Sequence, residues 1–172
     1  RVEKVRVSLG TNHIVVNELT LVSDRIKVRD FLKTNLINLN ALTDHIINSN
    51  IFGFSNTALR VDILKEPVNF GDNLLAGDWY FFSTILLHFE YKIEFLDDVQ
   101  TFYRQHENNF VGFSLGLTEE KLEIGLNVKL AHYKELINYC SKNNMTNHLQ
   151  RLIDSINSLE RLRIELMDQN FR

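Results

Sequence analysis

Apolar and polar residues alternate in strand fashion through the first 22 residues, where Val2, Val5 and Val7 lie among charged neighbours and the runs 14-IVV-16 and 19-LTLV-22 follow. That pattern predicts strands. Gly10-Thr11-Asn12 reads as the turn between two of them. Ser23-Asp24 is an N-cap signal for a short helix over about 25–36, and 37–50 reads as a second short helix. The segment 51-IFGFSN-56 reads as a short buried strand. The segment 57-TALRVDILKE-66 reads as a turn or two of helix stopped by Pro67, and 68–77 as a loop. From Asp78 the run 78-DWYFFSTILLHFE-90 is apolar on nearly every side, as a buried helix must be. Two short strands, 91–96 and 99–104, follow on either side of Asp97-Asp98, and then a loop over 105–116.

The last third has a different rhythm. Leu122, Leu126, Leu130, Tyr133, Ile137 and Cys140 recur at helical spacing, as do Leu149, Leu152, Ile156, Leu159 and Leu166 beyond a break at 141-SKNN-144. Two long helices joined by a short break predict an antiparallel hairpin. The expected division is therefore an α/β portion of short mixed strands and helices over 1–116 and a two-helix tail over 117–172.

Composition narrows the functional classes. With 44% hydrophobic residues, 24% charged residues and a net charge of -3, the chain has enough apolar side chains for a folded core. Its 19 basic and 22 acidic residues create no field that would gather nucleic acid. The longest apolar run, 79-WYFFSTILLHF-89, is too short to cross a bilayer and is interrupted by Ser83, Thr84 and His88, so no transmembrane segment is expected. Cys140 is the only cysteine, which excludes an intrachain disulfide and makes the cytoplasm the default compartment. It falls within the apolar stripe, where a small buried thiol is the ordinary reading.

The six histidines form no HExxH pattern, and the chain has no P-loop or GxGxxG segment. Two other segments carry candidate chemistry. In 76-AGDWYFF-82, Asp78 stands at the mouth of an apolar helix. An aspartate there is an N-cap, and the same carboxylate can serve as a general base towards a bound hydroxyl. In 102-FYRQHENN-109, Arg104 and His106 share one face of a strand end. They suit a phosphate or a metal-bound phosphate, and equally a solvated strand end.

The order of these segments resembles the C-terminal, acceptor-side half of family-2 glycosyltransferases of the GT-A fold: a Gly-Asp-Trp helix start, an apolar helix, a short strand, a polar break, then Tyr-Arg-x-His-x-x-Asn. The likeness covers roughly residues 45–113. It implies an inverting transfer of sugar from a nucleotide-sugar donor to a glycan acceptor hydroxyl, in cell-surface polysaccharide or glycan biosynthesis. Asp78 corresponds to the catalytic base and Trp79 to the aromatic beneath the acceptor. Gly53, Ser55 and Asn56 correspond to the acceptor-side strand, and Arg104 and His106 to the pair near the donor diphosphate and its divalent Mg or Mn ion. His106 is the candidate metal contact.

The chain departs from that family in two places. Gly77 precedes Asp78 where the family usually has an acidic residue, and no Asp-x-Asp metal motif precedes residue 45. Together with Arg1 at the start, this predicts a fragment without the donor-binding half, inactive by itself. A non-catalytic scaffold module and an unrelated α/β domain with a helical interaction tail remain the alternatives. In either, the tail could serve self-association.

Overall fold

The computed structural model describes residues 13–21, 39–50, 52–54, 57–59, 64, 67–88, 92–103 and 118–169. Among them the elements are β1 (His13–Leu21), α1 (Leu39–Asn48), β2 (Thr57–Leu59), α2 (Gly77–His88), β3 (Lys92–Tyr103), α3 (Glu119–Lys142) and α4 (Thr146–Gln169). The chain gathers into two units, Arg1–Val68 with Ile85–Arg104 and Asn69–Thr84 with Gln105–Arg172. The boundary runs through α2, with 77–84 in the second unit and 85–88 in the first.

In the first unit β1 is the centre of a three-stranded sheet ordered β2-β1-β3. Its sequence, HIVVNELTL, is rich in the branched residues that suit a pleated strand. β2 pairs antiparallel to it, Ile14 opposite Leu59 and Val16 opposite Thr57. β3 pairs parallel, from His13 opposite Lys92 to Leu21 opposite Tyr103. The register slips between Asn17, opposite Leu96, and Glu18, opposite Gln100. The extra residues are Asp97, Asp98 and Val99, so the acidic pair read as a break is an irregularity inside one strand. α1 lies where a second short helix was expected. Its Ile46 and Ile47 are buried, as are Phe52, Ile85 and Leu86 of the same unit.

The structure corrects two local expectations here. Residues 52–54 are not a strand, and Thr57–Leu59 is a strand rather than the start of a helix. Three residues carry too little periodicity to reveal either state, and pairing with β1 decides the outcome.

In the second unit the expected hairpin is present. Thr118 caps α3, its hydroxyl accepting from the Lys121 N–H at 3.3 Å, and Glu119 and Glu120 occupy the first turn where the helix dipole favours anions. Leu126, Leu130, Tyr133 and Cys140 are buried as their spacing predicts, but Leu136, not Ile137, is the buried residue of that turn. Val128 and His132 are buried too. The buried arc of α3 is therefore wider than one leucine stripe, because a helix packed on two sides needs two contact faces. Arg163 of α4 pairs with Glu123 of α3, joining the late part of one helix to the early part of the other, as antiparallel packing requires. Both side chains are partly exposed, so the pair is worth at most about 1 kcal/mol. On α4, Leu152 is buried, whereas Ile153, Leu162 and Ile164 are exposed.

The turn between α3 and α4 is a Schellman motif. The Met145 N–H donates to the Cys140 carbonyl at 2.9 Å, the Asn144 N–H donates to the Ser141 carbonyl at 3.4 Å, and Asn144 is left-handed at φ 56°. Asparagine tolerates that conformation and branched residues do not. Asn144→Gly is expected to match or slightly exceed wild-type stability. Asn144→Val is expected to lose about 1–2 kcal/mol in thermal unfolding.

Candidate functional site

The Asp78 turn is built by the loop before it. The first helical hydrogen bond of α2 runs from the Tyr80 N–H to the Ala76 carbonyl at 3.2 Å, so Ala76 is the cap residue and Asp78 lies inside the first turn. This corrects the expectation that Asp78 is itself the cap. Its role at the helix start is still electrostatic: Oδ1 accepts from the Trp79 N–H at 2.8 Å, and the dipole favours a negative side chain at that end.

Trp79 is buried and held from α3. Its indole stacks on the His132 imidazole, with ring centroids 3.8 Å apart and planes within 14°, and Tyr133 meets it edge-on at 6.5 Å. One residue on, Tyr80 meets Tyr139 edge-on at 6.5 Å and Phe70 at 6.1 Å. The start of α2 thus rests on a bed of aromatic rings from α3. Glu135, also on α3, lies over Gly71: a Cβ at that position would meet its carboxylate, the movable end of a flexible side chain.

Deeper in α2 the buried Thr84 hydroxyl donates to the Phe81 carbonyl at 2.8 Å, which satisfies it within its own helix. Burial pushes the Tyr80 phenol up to about 12, with the Glu135 carboxylate the next cause and Tyr139 and Cys140 adding to it. Burial alone takes Tyr133 to about 12 and the Cys140 thiol to about 11. Such a thiol carries little thiolate near neutral pH and is a packing residue rather than a nucleophile.

The raised phenols have a consequence for stability. A phenol whose pKa is higher folded than unfolded favours the folded chain while it is neutral. Its contribution is whole below the ordinary value of 10.0 and is lost as the pH climbs towards 12. Urea midpoints followed by circular dichroism should therefore begin to fall from about pH 9, where the Cys140 thiol first counts, and fall more steeply above pH 10, where the two phenols join it. Tyr80→Phe and Tyr133→Phe should each make that alkaline fall shallower.

Of the residues singled out in the sequence, Asp78 and Trp79 stand together at the start of α2. Gly53 belongs to the other unit and lies outside any strand, between buried Phe52 and exposed Phe54. Ser55, Asn56, Arg104 and His106 lie outside the described residues. Sequence reasoning missed His132, Glu135 and Tyr139. Their signal was there: on α3 they fall on one arc beside the leucine stripe, which marks a second packing face.

Among the described residues no group of three or more His, Cys, Asp or Glu side chains could hold a metal ion. They do not by themselves supply a cradle for the divalent ion that the resemblance implies. Among the described residues, too, no helix is long and apolar enough to cross a membrane. No protein-family model, curated protein or solved structure matches the chain.

Proposed function

We propose that this chain is the acceptor-side part of an inverting glycosyltransferase resembling family 2 of the GT-A fold, with Asp78 as its general base. The supporting observation is the fixed carboxylate. Asp78 sits in the first turn of a helix, one oxygen is held by the Trp79 N–H, and the Trp79 indole is pinned on His132. A base held in this way spends little of its time misdirected, which is what proton transfer in a transition state requires.

The chemistry follows from that placement. The acceptor hydroxyl gives its proton to Asp78. Its oxygen forms a bond to the anomeric carbon of the donor sugar as the bond from that carbon to the diphosphate oxygen breaks. The nucleoside diphosphate leaves on the opposite face and the configuration inverts. Trp79 supplies the rigid floor under the base.

The test is nucleoside diphosphate release from UDP-, GDP- and dTDP-sugars by the product of the whole open reading frame, with Mg or Mn and a glycan acceptor present. Acceptor-dependent release is the expected result. No release with any donor would reject the reading.

A further inference from the structure

The loop that leads into α2 leaves a large apolar ring in water. Phe70 is 50% exposed, whereas Phe82 of the same unit is 1% exposed. Its position is fixed: the ring edge would lie 3.6 Å from a Cβ on Gly77, and its centroid is 6.1 Å from that of Tyr80. These contacts place Phe70 against the first turn of α2, in which Asp78 follows Gly77. Directly after Phe70 comes a tight turn closed by the Leu74 N–H donating to the Gly71 carbonyl at 3.1 Å. Its two central residues, Asp72 and Asn73, are exposed.

A half-exposed aromatic ring followed in the chain by a turn carrying an exposed carboxylate and an exposed amide has a definite chemical complement. A pyranose ring carries C–H groups on one face and hydroxyls around its rim. The C–H face gains dispersion contact and loses water against an aromatic ring. The rim hydroxyls can donate to Asp72, and can donate to or accept from Asn73. A flexible polyol lacks the flat face, and a purely apolar ligand would leave the two polar residues unused.

We propose that Phe70, Asp72 and Asn73 form a subsite that holds a pyranose ring of the acceptor beside the Asp78 turn. This rests on the transferase reading for its role, though the subsite is testable without turnover. Phe70 here is a binding residue, and the loop 69–76 is what selects the acceptor.

The experiment is an NMR titration of the chain with the methyl α- and β-pyranosides of glucose, galactose and N-acetylglucosamine, with glycerol as the flexible control. At least one pyranoside is expected to shift the Phe70 ring signals saturably, and glycerol is not. Phe70→Ala and Phe70→Leu should bind that pyranoside about tenfold more weakly, and Phe70→Trp should retain it. Circular dichroism of each variant should match wild type, because the ring is half outside the core. Leucine separates a flat stacking surface from mere apolar area. The subsite is overturned if no pyranoside binds better than glycerol, or if the leucine variant binds like wild type. The transferase reading is decided separately by sugar transfer in Asp78→Asn. Loss of pyranoside binding in the Phe70 variants alongside undiminished transfer by Asp78→Asn would leave a sugar site without that base.

Discussion

Asp78→Asn is expected to lower sugar transfer by at least about a hundredfold, the lower end of what a positioned general base contributes. The substitution is nearly isosteric, and the amide oxygen can still accept from the Trp79 N–H as Oδ1 does at 2.8 Å. What is lost is the ability to take a proton, along with a favourable charge at a helix start worth about 0.3–1 kcal/mol. Catalysis and stability should therefore separate, with turnover collapsing while the thermal midpoint moves by only a few degrees. Acceptor KM should change much less than kcat, since the proton moves in the transition state and not on binding. Turnover equal to wild type in a nucleoside diphosphate release assay would remove Asp78 from the reaction and leave it as an electrostatic feature of α2.

The largest effect on folding is expected at Trp79. Removing a buried tryptophan to alanine costs about 3–5 kcal/mol, and a stacked aromatic pair adds about 0.5–1.5 kcal/mol beyond area. Trp79 is 4% exposed and presses on a His132 that is 0% exposed, so the cavity left by alanine would lie between two elements. Domains of this size are stable by about 5–15 kcal/mol, so Trp79→Ala should remove a large share of the second unit's stability and lower its urea midpoint markedly. Trp79→Phe keeps a ring against the imidazole and should lose less. Urea unfolding followed by far-UV circular dichroism reads both. An alanine variant within about 1 kcal/mol of wild type would mean that the indole is not the support described for the start of α2.

Sequence pattern carried the parts of this fold that are long and periodic. α3 and α4 repeat their apolar positions over several turns, and α2 is apolar all round, so their states and limits were visible to within a residue or two. The short elements were not. β2 is three residues, and its strand state comes from pairing with Val15 and its neighbours rather than from its own composition. Likewise Asp97-Asp98 looked like an end because acidic pairs usually stop strands, whereas β3 continues by letting its register slip.

At the candidate site, Asp78 and Trp79 were legible because their types and order are unusual at a helix start. The partners were hidden. His132 and Tyr139 lie far along the chain, and nothing local marks which of two faces of α3 meets α2. The cap assignment missed by two residues because Ala76 needs no capping side chain to carry the first helical carbonyl.

Trp79 is the only tryptophan in the chain, and it is seated on an imidazole. All indole fluorescence therefore arises from the floor of the candidate site. A sealed indole emits towards the blue, and contact with His132 offers a route for quenching, so loosening of this one contact should change colour and intensity together. The protein thus carries its own optical gauge for the Asp78 turn, free of competing signal and of any label.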